Sequence, residues 1–136
     1  MTVPKRQIIK PAGTEFLYDN FHFAPATRVG DLIVVSGQVG IDAQMKPGNG
    51  MAAQARLAFE AIKVTLETAG ASLADVVELV TFHTDLRGDI AEFVKVKDEF
   101  LPDRFPSWSA VGVTQLAAPE YLVEVRVVAV AGSGAA

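Results

Sequence analysis

The spacing of apolar positions changes along the chain, and each change marks an element. Residues 32–36, Leu-Ile-Val-Val-Ser, form a short β-branched run between Gly-Asp and Gly-Gln, which predicts a strand. The stretch 44–50 carries Pro, Asn and two glycines and reads as a loop. From Met51 to Ala69 the period lengthens. Ala55, Phe59, Ile62, Leu66 and Ala69 fall on one face of an amphipathic helix, with Gly70 placed to end it. Residues 76–84 predict a second strand, preceded by a turn at Ser72 and Asp75. Residues 89–101 predict a second helix. Asp89 and Glu92 have capping-box spacing, Ile90, Phe93, Val94, Phe100 and Leu101 lie near one face, and Pro102 stops it. A short run, Ser107–Val113, and a long strand, 121–131, complete the chain.

Two helices can cover only one face of the sheet they share. The last strand tests this by its period of two. Val123, Val125, Val127 and Ala129 point one way and are wholly apolar, as a helix-covered face requires. Leu122, Glu124, Arg126, Val128 and Val130 point the other way. That mixed face is a poor solvent surface. It predicts packing against further copies of the chain, with the charged residues in a crevice.

Composition bounds the function. The 136 residues suit one domain spanning 1–136, with an N-terminal segment over 1–15 and a frayed tail over 132–136. Apolar residues make up 50% and the net charge is −4, without the clustered Lys and Arg of a nucleic-acid surface. The absence of cysteine excludes disulfides, thiol catalysis and thiolate metal sites. No apolar run approaches the ~20 residues of a membrane helix, and the N-terminus has no signal-peptide pattern, so the expectation is a cytoplasmic protein without a membrane partner. His22 and His83 lack metal-binding spacing, and no metal or cofactor is expected. His83 reads as a hydrogen-bonded strand residue. Ser36 and Ser109 have no His/Asp constellation near them in sequence, so neither reads as a nucleophile.

Four segments in order, 28–42, 69–86, 105–113 (Phe-Pro-Ser-Trp-Ser-Ala-Val-Gly-Val) and 122–130, resemble the Rid family, also known as YjgF/UK114 or L-PSP endoribonuclease-like. The resemblance implies a chorismate-mutase-like α+β fold: a mixed sheet with two helices on one face, assembled as a homotrimer with ligand clefts between subunits. It implies hydrolysis of imines or enamines such as 2-aminoacrylate, with Glu124 at the family's water-orienting glutamate. It also places Phe23, His22, Ser36, Gly37, Ser109, Trp108 and Arg126 at the ligand-binding cleft. One departure is sharp. Where the family has the arginine that holds the substrate carboxylate, this chain has Trp108, which offers one N–H and no charge. Little or no 2-aminoacrylate turnover is therefore expected, unless another cation takes over the grip. Trp108 reads equally as a ligand wall or as packing. Arg126 reads first as the partner that neutralises Glu124 and second as a substitute anion binder. The alternatives are a non-catalytic trimer that binds a small molecule, and a ribonuclease or translation inhibitor. The acidic charge disfavours the last.

Overall fold

The structure is a computed structural model that describes residues 2–135. In chain order it contains β1 (Gln7–Ile9), α1 (Glu15–Phe21), β2 (Ala26–Val29), β3 (Leu32–Val39), α2 (Met51–Thr68), a 3-10 turn (Leu73–Asp75), β4 (Val76–His83), α3 (Leu86–Phe100), β5 (Ser107–Gly112) and β6 (Val123–Val130). The strands form one sheet in the order β1-β2-β3-β6-β4-β5. Its pairs are antiparallel except β4 with β5, which run parallel around the crossover helix α3. This is the expected α+β architecture.

The two long helices pack on one face, and β6 shows why. Val123, Val125, Val127 and Ala129 are buried and share the core with Ile33 and Val35 of β3 and with Ala55, Phe59, Ile62 and Leu66 of α2. Aromatic rings join the helices: Phe59 lies 5.8 Å from Phe93 and stacks on Phe100 at 5.3 Å. Gly40, just beyond β3, lets α2 approach closely, because a Cβ there would collide with the Gln54 backbone. The Gln54 side chain, buried at that contact, donates to the carbonyls of Gly48 and Glu120 and accepts from the Leu122 N–H. It thereby ties two loops to the helix. Gly70, at φ 89°, ends α2 as its position predicts.

Several expectations need correction. The N-terminal segment supplies an edge strand, β1, and β2 and α1 are further elements that no period announced. Three and four residues are too few to show alternation, and α1 buries none of its residues, so it has no apolar stripe to read. Helix α3 starts at Leu86 rather than Asp89. Gly88 makes this possible: the backbone N–H groups of Gly88 and Asp89 bond the Asp85 carbonyl, and a Cβ at Gly88 would strike the Asp85 carboxylate. The capping box lies instead at Ser72 and Asp75, whose carboxylate accepts the Ser72 N–H at 3.0 Å. The same carboxylate accepts the Gly134 N–H at 2.7 Å, so the tail expected to fray is anchored there. Its last residue, Ala136, lies outside the described residues. Strand β3 runs on to Val39 through a bulge between Val35 and Gln38, and β6 begins at Val123 rather than at residue 121.

Candidate functional site

The face of the sheet opposite α2 and α3 holds most of the candidate residues. Its apolar positions include Leu32 and Val111, 45% and 40% exposed, with Val34, Val80, Phe82, Val128 and Val130 between them. Glu124 and Arg126 of β6 project onto this face. Glu124 is registered between Val39 and Phe82. Arg126 is registered with Val80 on one side. On its other side it faces the β3 bulge, which holds Ser36 and Gly37.

Gly37 is the floor of this region. The Glu124 carboxylate lies in the space that a Gly37 Cβ would take. The carboxyl is half-buried, that burial pushes its pKa up, and it forms no ion pair among the described residues. Arg126 makes no ion pair among the described residues. The expected Glu124–Arg126 neutralisation is therefore not formed. The two side chains leave the same face of one strand, but Glu124 folds onto the glycine instead of toward the guanidinium.

The bulge also ties down the preceding loop. The Ser36 hydroxyl donates to the Ala24 carbonyl at 2.6 Å, and the Ser36 N–H donates to the Pro25 carbonyl at 2.9 Å. This fixes the segment holding Phe23, 41% exposed, and His22, the left-handed C-cap of α1 at φ 61°. On β5, Ser109 lies on the uncovered face, with Val80 between it and Arg126. Ser36, Gly37, Glu124 and Arg126 thus surround one bulge. Phe23 and His22 border it through the chain, and Ser109 lies two strands beyond β6.

Trp108 stands apart. It pairs with Leu79 in the parallel β4–β5 register, which turns it, with Ala110 and Gly112, toward the helices. The Nε1–H donates to the fully buried Thr81 hydroxyl at 3.0 Å, and that hydroxyl also shares a hydrogen bond with His83 Nε2 at 2.7 Å. The indole lies 5.9 Å from Phe93, and His83 meets Phe93 edge-on at 5.0 Å. Burial lowers the His83 pKa and keeps the imidazole neutral. His83 is thus a core strand residue, as its sequence context predicts. Within one chain, Trp108 and Glu124 leave opposite faces of the sheet and cannot line one cavity. A site containing both needs two copies.

Sequence reasoning missed Lys97. Its ammonium sits 5.2 Å from the Trp108 ring and 5.1 Å from the Phe105 ring, bonded to Asp98 at 3.0 Å, with the residue only 7% exposed. Its spacing four residues after Phe93 on α3 is the signal that places it on the inward face.

The description endoribonuclease L-PSP matches residues 17–131. The chain is 38% identical over 126 residues to the RutC family protein YjgH of Escherichia coli, covering 92% of this chain and 95% of that one. A solved structure of protein YjgH superposes with a TM-score of 0.83 at 37% identity, over 93% of this chain and 96% of the other. The Mycobacterium tuberculosis protein Rv2704, described as a member of the YjgF/YER057c/UK114 family, superposes at 0.80 with 35% identity, over 93% and 99%. A 2-iminobutanoate/2-iminopropanoate deaminase of Dermatophagoides farinae is 31% identical over 116 residues, 83% of this chain and 87% of its own.

Proposed function

The chain belongs to the endoribonuclease L-PSP (YjgF/UK114) family, and on that premise we propose that it is a deaminase that hydrolyses a small imine or enamine, with Glu124 as its base. The observation that carries this reading is Glu124 itself: a half-buried carboxyl, unpaired, resting on a glycine floor, with its pKa raised by burial. A carboxylate so placed is a stronger proton acceptor than a solvated one. The relative named 2-iminobutanoate/2-iminopropanoate deaminase supports the reaction class.

The chemistry needs one carboxylate and one water. Ionised Glu124 accepts a proton from water as the water oxygen bonds to the imine carbon, and it passes that proton to the nitrogen that takes up the C=N electron pair, giving a carbinolamine. Glu124, ionised again, then takes the hydroxyl proton and delivers it to the amino nitrogen as the C–N bond breaks and the carbonyl forms. Ammonia leaves and the carboxylate is regenerated. An enamine enters the same sequence after protonation at carbon gives the imine.

The assembly belongs to the same proposal. The uncovered face is broad and partly apolar, which suits contact with further copies in a homotrimer. The site then lies between subunits, with Glu124 of one copy opposite the β5 region of the next. Trp108 forms packed support there, since its N–H is held by Thr81. The lack of an arginine at position 108 favours a second reading, a trimer that binds a small metabolite without turnover. Ammonia release separates the two. With 2-iminobutanoate generated in situ from threonine by a dehydratase, the deaminase reading predicts hydrolysis well above the spontaneous rate. Ligand binding without acceleration would establish the second reading.

A further inference from the structure

Between α1 and α2 lies a cavity of about 390 Å³. Gln38, in its wall, is registered with the buried core residue Val125, so the cavity lies on the helix side of the sheet, away from the Glu124 face. We propose that this cavity binds a small organic cation, a primary ammonium on a short alkyl body. Such a site stands whether or not Glu124 turns over an imine.

The packing of α1 leaves the space open. Folded interiors hold few voids larger than a water molecule, whereas a cleft of this size falls in the range of ligand pockets. Helix α1 buries none of its residues. Leu17 on α1 and Leu57 and Val64 on α2 line the gap between them, with Pro11 and Pro25 beside them. Val64 is left 53% exposed. No α1 aromatic ring lines the cavity, and Phe16 and Phe21 meet each other edge-on at 6.0 Å. The α1 wall is tied at both ends. The Thr14 N–H donates to the Pro11 carbonyl at 3.0 Å, and the Phe23 N–H donates to the Leu17 carbonyl at 3.3 Å.

The polar side chains select the ligand. The lining carries two acids, Asp42 and Glu60, and no lysine, arginine or histidine. Neither acid is in an ion pair among the described residues. Arg56, one turn before Glu60 on α2, is bonded to Glu99 at 2.6 Å. Lys10, next to Pro11, sits over the Tyr18 ring at 4.8 Å. The Asp42 carboxylate is held through Oδ1, which accepts the Gln44 and Lys46 N–H groups at 2.9 Å each. Its other oxygen accepts no hydrogen bond among the described residues. The hydroxyl protons of the lining are already engaged: Thr14 donates to the Pro11 carbonyl at 2.7 Å and Thr65 to the Ala61 carbonyl at 2.8 Å. One Gln38 N–H is bonded to the Ser36 carbonyl at 3.0 Å, while the Gln38 side-chain oxygen accepts nothing among the described residues. The cavity thus offers acceptors and negative charge beside an apolar wall. An ammonium supplies three donors and the opposite charge, and a short alkyl chain covers Leu57 and Val64. A carboxylate meets two like charges there and no cation, which disfavours organic acids and amino acids alike.

The test titrates isopentylamine into the full chain, beside its neutral and anionic counterparts isopentanol and isovalerate, and follows proton–nitrogen correlation spectra at neutral pH. The amine should shift the amides of Asp42, Leu57 and Val64 saturably. Isopentanol should bind at least tenfold more weakly, and isovalerate should move none of these amides. Glu60→Gln, at an exposed position, and Asp42→Asn should each weaken the amine at least threefold. Val64→Lys should abolish binding, because it brings a tethered ammonium to the cavity. If Asp42→Asn fails to fold, Glu60→Gln and Val64→Lys carry the test, since both positions are exposed. No saturable shift with the amine, equal affinity for amine and alcohol, shifts confined to residues outside this cavity, or undiminished binding by folded Glu60→Gln and Val64→Lys would each overturn the proposal.

Discussion

Replacing Trp108 by alanine separates packing from ligand contact. A tryptophan buries up to about 250 Å² when fully enclosed, worth roughly 6 kcal/mol at 25 cal/mol per Å². Trp108 is only partly buried. About half to two-thirds of that value, roughly 3–4 kcal/mol, is therefore expected from area alone. The lost Nε1–H bond to Thr81 adds about 1 kcal/mol, less whatever the hydroxyl recovers from its remaining bond to His83. Loss of the ring beneath the Lys97 ammonium adds about 0.5–1 kcal/mol. The sum, about 4.5–6 kcal/mol before any such recovery, is a large share of the roughly 5–15 kcal/mol that holds a domain of this kind. Trp108→Phe keeps most of the ring and should cost only about 1–2 kcal/mol, mainly the hydrogen bond. The assay is urea unfolding followed by far-UV circular dichroism, since the variants contain no tryptophan to report by fluorescence. All samples need equal protein concentration, because subunit exchange feeds into apparent stability. A cost below 1 kcal/mol for Trp108→Ala would refute the packed position and restore Trp108 as a ligand wall.

Further outcomes follow from the same geometry. Gly37→Ala should leave stability nearly unchanged, because the colliding atoms are the far end of a side chain, yet it should displace the Glu124 carboxylate and lower kcat at least tenfold; unchanged kcat would contradict the glycine floor. Buried neutral His83 takes up a proton more readily in the unfolded chain, so its contribution is complete above its ordinary value of 6.5 and is lost as pH falls below it, by up to about 1.4 kcal/mol per pH unit. Urea midpoints across pH 5–8 should show that acid loss in wild type and a flatter profile in His83→Gln. Light scattering should give about three times 14.5 kDa, and a stable monomer at micromolar concentration would remove the inter-subunit site.

The long elements were legible because their periods are clean. The α2 stripe from Ala55 to Leu66 and the alternation of β6 each identify a face without any tertiary information. Features that depend on register were not legible. Trp108 reaches Thr81 only because β5 runs parallel to β4 with Leu79 opposite Trp108, and nothing local specifies that offset. The bulge between Val35 and Gln38 sets Glu124 over Gly37 and away from Arg126, so the pairing that strand alternation suggested does not form. Lys97 is not legible because a lysine reads as solvent-facing, whereas its stem follows the apolar face of α3 to the Phe105 and Trp108 rings.

The proposed hydrolysis needs Glu124 as its base, and the pH dependence of kcat for Glu124→Gln against wild type tests that role most directly. Glutamine keeps the shape over Gly37 and cannot accept the proton. Burial raises the Glu124 pKa, so wild-type activity should rise with pH through a limb lying above the ordinary carboxylate value of 4.5. Glu124→Gln should lose at least 100-fold in kcat toward 2-iminobutanoate, lack that limb and retain the wild-type assembly. A folded Glu124→Gln protein with wild-type turnover and an unchanged pH limb would contradict the mechanism.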